Sequence, residues 1–176
     1  TSIKSLATCA VRLPFVWGGG EPHLLPWLIA RAERGKLKRV GKGRNRADMI
    51  HVTNAAGARL QAADALSEAT AGGEAFFVND GNGPVVFWEW VNDLLRALSL
   101  KESRGSVPAG PLYALTAARE ALSNLLPDIK KPAWSRFWVA FLSRTHCFSC
   151  SKAEKTFGWN PVISPEEAMS RTVAWW

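Results

Sequence analysis

Short strand candidates alternate with amphipathic helices along this chain, and glycine-rich turns separate them. The strongest turn, Asn79-Asp80-Gly81-Asn82-Gly83-Pro84, follows an apolar run that is typical of a strand. Regular alternation of strands and helices is the pattern of an α/β protein. We therefore expect an α/β fold, with its strands within residues 8–13, 37–40, 48–52 and 74–78.

Two helices are predicted in the first half of the chain from apolar residues at helical spacing. The first ends at Gly35, and the second follows Thr53 or Asn54, either of which can cap it. The predicted buried face of the first helix carries Leu24, Leu25, Leu28, Ile29 and Ala32. The predicted buried face of the second carries Ala56, Leu60, Ala63 and Leu66.

The second half of the chain is predicted to be mainly helical. Residues 87–98 form an amphipathic helix, residues 108–126 a longer one, and residues 151–157 a short one. The last helix starts at Ser164, which can cap it, with Pro165 in the first helical position. The apolar stripe of the first of these helices consists of Phe87, Val91, Leu94, Leu95 and Leu98.

The composition is that of an ordinary globular chain. Its 176 residues suit one domain or part of a larger one, and 47% apolar residues can build a core. No apolar run reaches the ~18 residues that a transmembrane helix needs. The net charge of +7 comes from scattered basic residues with one cluster between Arg34 and Arg46. We interpret that cluster as a solvated surface loop and expect no nucleic-acid partner.

Three cysteines do not make a metal site in this sequence. Cys147 and Cys150, with His146 beside them, have the spacing of half a zinc site or of a redox pair, but a zinc ion needs about four ligands. Only Cys9 and the distant His23 and His51 could complete the set. We expect no metal and reduced cysteines in an intracellular compartment.

An ordered set of motifs runs through the chain. A strand ending in Arg12-Leu13-Pro14-Phe15-Val16-Trp17-Gly18 precedes Gly41-x-Gly43-x-Asn45-x-x-Asp48 and His51-Val52-x-Asn54. Gly72-Gly73-Glu74-Ala75-Phe76-Phe77-Val78, Phe87-Trp88-Glu89 and Gly158-Trp159-x-Pro161 follow. This order resembles the C-terminal portion of the 3β-hydroxysteroid dehydrogenase family of extended short-chain dehydrogenases. The most similar branch is that of the decarboxylating sterol 4α-carboxylate 3-dehydrogenases.

The resemblance implies a division of the protein. Residues 1–176 would be the C-terminal substrate-binding portion, with the last strands of a Rossmann-type sheet and a mainly helical substrate-binding region. The family's Gly-x-x-Gly-x-x-Gly loop for NAD or NADP and its Tyr-x-x-x-Lys pair are absent from this chain and expected upstream. The only tyrosine is Tyr113, and Ala117 stands four residues later. We therefore expect no catalytic residue here and no turnover by this chain alone, whereas the parent protein would oxidise the 3β-hydroxyl of a steroid or sterol.

The resemblance also implies which residues contact the cofactor. In the family, the backbone just after the Arg12 strand lies beside the nicotinamide. The matching residues here are Leu13, Pro14, Phe15 and Val16. The alternative is that this strand end simply packs into the core.

The substrate is expected to be apolar. Related nucleotide-sugar epimerases carry an arginine that grips a diphosphate where this chain has Ala47, and Arg46 would face the other side of an extended segment. This disfavours a nucleotide-sugar epimerase or dehydratase, which stays the alternative within the superfamily. His51 is interpreted as structural or pocket-lining and not as a catalytic base. The expected substrate-binding residues, each with an ordinary core role as the alternative, are Trp17, Leu24, Leu25, Leu28, Asn45, His51 and Trp88.

The resemblance finally bears on partners and location. In this branch, a tryptophan-containing segment such as residues 111–142, flanked by basic side chains, can associate with a membrane. A buried helical pair explains the same pattern. We expect a steroid-like small molecule, a homodimer and a cytoplasmic protein peripherally associated with the endoplasmic reticulum membrane. The alternative from another class is a non-catalytic lipid- or membrane-binding module.

Overall fold

A computed structural model describes residues 6–67, 70–125 and 135–176. Strands and helices are interspersed along these residues, which confirms the α/β class. The strands are β1 (Ala10–Arg12), β2 (Phe15–Trp17), β3 (Arg39–Val40), β4 (Arg46–Ala47), β5 (Met49–His51), β6 (Ala75–Phe77), β7 (Val85–Val86) and β8 (Ser106–Val107). The helices are α1 (Leu24–Glu33), α2 (Val52–Ser67), α3 (Phe87–Ala97), α4 (Ala109–Leu125), α5 (Arg136–Ser143), α6 (Ser151–Phe157) and α7 (Pro165–Trp175).

The chain divides into two compact units, each assembled from segments that are distant in sequence. Unit 1 comprises Thr1–Leu25, Asp48–Pro84 and Cys147–Trp176. Unit 2 comprises Pro26–Ala47 and Val85–His146.

Unit 1 is built on two pairs of parallel strands. β1 pairs with β6 so that Val11 lies beside Phe76, and β2 pairs with β5 so that Val16 lies beside Ile50. Parallel strands need a crossover connection between them. Helix α2, which follows β5 and precedes β6, is one of the helices that cover these strands. The buried core of this unit consists of Ile50, Ala55, Ala58, Ala65, Ala71, Phe76, Val78, Cys150, Ala153 and Trp159.

The predicted buried face of α2 is wrong. Ala56, Leu60 and Ala63 are exposed, Leu60 by 69%, and Leu66 is half-buried. The prediction placed Leu60, the only large apolar residue in the middle of the helix, on the buried face. The helix instead turns its small residues inward, and Gly57 approaches Val162 so closely that a Cβ there would lie 2.2 Å from a methyl carbon. The buried face is formed by Ala55, Ala58, Ala62 and Ala65.

Unit 2 combines two short strand pairs with helices. β3 runs parallel to β8, with Val40 beside Val107, and β4 runs antiparallel to β7. All five residues predicted on the buried face of α1 are buried. The stripe predicted on α3 is confirmed for Phe87, Val91, Leu94 and Leu95, while Leu98 lies half-buried just beyond the helix.

Helices α4 and α5 pack against each other within unit 2. The Glu120 carboxylate accepts hydrogen bonds from the backbone N–H of Arg136 at 2.7 Å and from its Nε at 2.5 Å. This agrees with the helical-pair alternative for residues 111–142, although residues 126–134 lie outside the described residues. No helix in the described part of the chain has both the length and the apolar character to cross a membrane.

Local sequence sets the end of α6 and the start of α7, and the predicted start of α7 is confirmed. Gly158 terminates α6 in the left-handed conformation, with φ of 66°. The Ser164 hydroxyl accepts the backbone N–H of Glu167 at 3.2 Å and caps α7, with Pro165 in the first helical position.

Candidate functional site

One carboxylate in unit 1 joins the ends of two strands to the first turn of a helix. Asp80, in the turn after β6, accepts the backbone N–H of His51 at 2.9 Å and the indole Nε1–H of Trp17 at 3.0 Å. It also accepts Nδ2–H of Asn54 at 2.7 Å. Hydrogen bonds to an ionised acceptor are the stronger kind, so Asp80 fixes the positions of all three residues.

His51 is the last residue of β5 and the cap of α2. Its Nδ1 accepts the backbone N–H of Thr53 at 3.2 Å, which satisfies one of the free donors at the helix start. The expected caps Thr53 and Asn54 are therefore wrong, because both lie inside the helix that begins at Val52. The imidazole ring packs edge-on against Trp17, with centroids 5.0 Å apart.

The other ring nitrogen of His51 carries the proton of the neutral ring, since Nδ1 is an acceptor. This Nε2 atom is buried and has no hydrogen-bond partner among the described residues. Burial lowers the pKa of His51 because the charged imidazolium loses its hydration; the Asp80 charge opposes this and the Arg171 charge adds to it. His51 thus presents a neutral N–H donor at the end of a buried strand.

The glycines after β2, Gly18-Gly19-Gly20, form a turn. Gly18 has φ of +130°, and a Cβ there would lie 2.8 Å from Nε2 of His51. At Gly19 a Cβ would lie 2.6 Å from the Trp175 ring of α7. Side chains from two other elements thus occupy the space beside these glycines.

Of the expected cofactor-binding residues, Leu13 and Pro14 lie between β1 and β2, and Phe15 and Val16 belong to β2. Leu13 and Val16 pack against the core of unit 1, and Phe15 and Pro14 are half-buried. The assignment of a cofactor to Leu13, Pro14, Phe15 and Val16 stays a prediction.

The structure brings together only part of the expected substrate-binding set. In unit 1, Trp17 and His51 are in contact, whereas Leu24 and Leu25 are buried core residues. In unit 2, Leu28 is fully buried, and Trp88 Nε1 donates to the Leu142 carbonyl at 2.9 Å. These roles stay predictions.

Asn45 is the polar member of that set in unit 2. Its Nδ2 donates to the Arg144 carbonyl at 3.4 Å, and its buried Oδ1 has no partner among the described residues. On the neighbouring strand β4, Ala47 is fully buried and Arg46 is exposed. The prediction that Arg46 faces away from the Ala47 side is confirmed.

The sequence missed two buried polar anchors in unit 1. Asn54 Oδ1 accepts the backbone N–H groups of Val162 at 2.8 Å and Ile163 at 2.9 Å, which ties α2 to the loop before α7. Asp48 accepts the backbone N–H of Phe148 at 2.5 Å and Nδ2–H of Asn79 at 3.1 Å. The only signal for either was an asparagine or aspartate inside a motif that resembles the family, which does not specify partners 100 or more residues away.

The cysteines give no metal site among residues 6–67, 70–125 and 135–176, where no group of three or more potential ligand side chains occurs. Cys147 is exposed and Cys150 is buried. Burial raises the pKa of the Cys150 thiol to about 11, so it stays protonated at neutral pH.

Comparison with known proteins agrees with this architecture. Residues 1–108 match the 3-beta hydroxysteroid dehydrogenase/isomerase family. A 2-alkyl-3-oxoalkanoate reductase of Shewanella oneidensis is 36% identical over 171 residues, covering 96% of this chain and 44% of the relative. A decarboxylating sterol-4-alpha-carboxylate 3-dehydrogenase of Mus musculus is 32% identical over 174 residues, covering 97% of this chain and 48% of the relative. The chain thus spans about half the length of the curated relatives it matches.

A solved structure shows the same fold. The dTDP-glucose 4,6-dehydratase DesIV of Streptomyces venezuelae, with NAD and TYD bound, superposes with a TM-score of 0.58 at 18% identity, over 97% of this chain and 44% of that one. The fold is thus that of part of an extended short-chain dehydrogenase. The chain belongs to the 3-beta hydroxysteroid dehydrogenase/isomerase family.

Proposed function

We propose that this chain is the substrate-binding half of a dehydrogenase that uses NAD or NADP to oxidise the hydroxyl group on carbon 3 of a sterol or a related lipid. The observation that carries the proposal is the family match over residues 1–108, together with relatives that align along 96–97% of the chain. Residues 1–176 would form the C-terminal portion, and the cofactor loop and catalytic pair would precede it.

The names of the two relatives share a chemical feature. A sterol 4α-carboxylate and a 2-alkyl-3-oxoalkanoate both hold a carboxylate on the carbon next to carbon 3. Oxidation of such a hydroxy acid transfers a hydride to the nicotinamide and a proton to a base, and gives a 3-oxo acid. We therefore propose a lipid 3-hydroxy acid or its 3-oxo form as the substrate class.

The residue roles in this proposal follow the family. The backbone of Leu13, Pro14, Phe15 and Val16 would line the nicotinamide, while the side chains of Leu13 and Val16 pack against the core of unit 1. Unit 1 would contribute Trp17, Leu24, Leu25 and the neutral His51 to substrate binding. Unit 2 would contribute Leu28, Asn45 and Trp88.

The chain alone is proposed to be inactive because its single tyrosine, Tyr113, is not part of a Tyr-x-x-x-Lys pair. Tyr113 lies on α4, where the Arg144 guanidinium stands over its ring at 5.6 Å, and no lysine follows four residues later. A tyrosine base in this family needs such a lysine close by.

The test is an activity assay on the intact protein and on this chain. Each is incubated with NAD or NADP and with a 4α-carboxysterol or a 2-alkyl-3-hydroxyalkanoate, and formation of reduced nicotinamide is followed. The proposal requires turnover of one of the two substrates by the intact protein and none by the chain. Turnover of a nucleotide sugar instead, or of nothing, would contradict it.

A nucleotide-sugar substrate is the second candidate, and the buried Ala47 disfavours it. The diphosphate of such a substrate needs a cationic side chain to bind it, and the buried Ala47 stands where related epimerases have an arginine. Peripheral association with the endoplasmic reticulum membrane and a homodimer are further proposals. Flotation with vesicles and sedimentation analysis of the intact protein test them.

A further inference from the structure

Unit 2 contains a groove that is lined by none of the expected cofactor-binding or substrate-binding residues. It has a volume of about 720 Å³, which lies within the range of small-molecule sites. Parts of α1, α4, β3 and β8 form it, together with the loop after α1. Its walls include Trp27, Arg31, Lys36, Lys38, Val40, Leu112, Leu115 and Arg119.

The charge of this groove is one-sided. Four basic side chains line it, namely Arg31, Lys36, Lys38 and Arg119, and no acidic residue does. Lys36 and Lys38 belong to the basic cluster that the sequence placed in a solvated loop, and both are exposed. The four carry no ion pair in the described part of the chain, whereas other basic residues pair with carboxylates, as Arg136 does with Glu120. The groove therefore favours an anionic ligand.

The floor of the same groove is apolar. Val40 is buried, Val107 and Leu112 are half-buried, and Leu115 remains 59% exposed on the side of α4. The Arg31 guanidinium stands over the Trp27 ring at 5.2 Å, which joins the cationic rim to an aromatic wall. A free inorganic anion would leave this apolar surface in water, and an uncharged lipid would leave the four cations without counter-charge.

We propose that the groove binds a single-chain amphiphile with an oxyanion head group. The hydrocarbon chain lies along Leu112 and Leu115, and the carboxylate or phosphate head contacts Arg31 and Arg119. Arginine binds a carboxylate or phosphate head group through two parallel hydrogen bonds. Burial of an exposed leucine by a hydrocarbon chain contributes favourably to binding. The binding site is complete within unit 2 and needs no cofactor, so binding is measured independently of the dehydrogenase reaction.

The test is calorimetric titration of the full chain with dodecanoate, dodecyl phosphate, dodecanol and inorganic phosphate, with the two dodecyl anions below their micellar concentrations and dodecanol below its solubility limit. The proposal predicts that dodecanoate or dodecyl phosphate binds at least about tenfold more tightly than both dodecanol and inorganic phosphate. The ratio between the first two identifies the preferred head group. Equal affinity for dodecanol, or for inorganic phosphate, would overturn the proposal.

Matched variants locate the binding site. Arg31→Gln with Arg119→Gln should weaken binding of the amphiphile by about tenfold or more, while Arg31→Lys, which keeps the charge but loses the paired hydrogen bonds, should weaken it less. Leu115→Asn should weaken dodecanoate binding but leave the weak phosphate binding unchanged. The controls are Arg59→Gln and Leu60→Asn, an exposed pair of the same residue types on α2. Equal effects of the groove variants and their controls would refute the location.

Discussion

The indole Nε1 of Trp17 donates a hydrogen bond to the carboxylate of Asp80 at 3.0 Å, across 63 positions of sequence. The same carboxylate accepts the backbone N–H of His51 and the amide of Asn54. Trp17 ends β2 and His51 ends β5, so Asp80 fixes the ends of two parallel strands. Two of the expected substrate-binding residues of unit 1, Trp17 and His51, are thus held in place by a residue outside the expected set.

Removal of this carboxylate should destabilise the protein strongly. Asp80→Ala leaves the N–H groups of Trp17, His51 and Asn54 without their acceptor, and we expect a loss of about 3 kcal/mol or more in the free energy of unfolding. Urea unfolding of the full chain measures it. The control Asp93→Ala breaks only an exposed ion pair with Arg96 and should cost under about 1 kcal/mol. Similar losses in the two variants would contradict the role of Asp80.

A methyl group at Gly18 should also be costly. The residue has φ of +130°, and the new Cβ would lie 2.8 Å from Nε2 of His51. We expect Gly18→Ala to reduce the free energy of unfolding by about 2 kcal/mol or more. Gly72→Ala is the matched control because no atom lies within 4 Å of its Cβ position, and its cost should stay below about 1 kcal/mol. Equal costs would show that the contact with His51 does not matter.

The stability of the protein should fall in acid partly through His51. Its pKa is lowered from 6.5 by burial, so below pH 6.5 the unfolded chain takes up a proton that the folded chain resists. The unfolded state then binds more protons, and stability decreases as the pH falls from about 7 through 6.5 to the lowered pKa. Unfolding measured across this range in the parent chain and in His51→Gln tests the point.

The expected result is a shallower pH dependence in His51→Gln than in the parent chain. The control is His23→Gln, since His23 is exposed. A slope that does not change on replacing His51 would mean that its burial does not control the titration.

The two cysteines of the Cys-x-x-Cys pair should differ in reactivity. Cys147 is exposed, whereas burial raises the pKa of Cys150 to about 11 and leaves about one thiolate in a thousand at pH 8. Iodoacetamide should therefore label Cys147 well before Cys150, as peptide mass spectrometry would show. Cys147→Ser should abolish the fast labelling of that peptide, and fast labelling of Cys150 would contradict its burial.

The sequence predicted the elements whose signal is local. The stripe of α3 was found because its large apolar residues recur at helical spacing, and the start of α7 because Ser164 and Pro165 stand next to each other. The buried face of α2 was missed because alanines occur all around that helix, and its packing depends on the contact of Gly57 with Val162. Side-chain size alone then gives the wrong answer.

The candidate site was predictable only through resemblance to the family. The partners of Asp80 lie at positions 17, 51 and 54, and no local pattern connects them. The sequence predicts a structural or pocket-lining role for His51, but its role as the cap of α2 follows from the helix starting at Val52, two or three residues earlier than the expected caps allow. Long-range hydrogen bonds of this kind become visible only in the folded chain.

The coding sequence upstream of Thr1 tests most directly whether this chain is the substrate-binding half of a dehydrogenase. Sequencing of the transcript in that direction should find a Gly-x-x-Gly-x-x-Gly loop near the start and a Tyr-x-x-x-Lys pair shortly before Thr1. A reading frame that contains neither motif would contradict the claim and would favour a non-catalytic binding role.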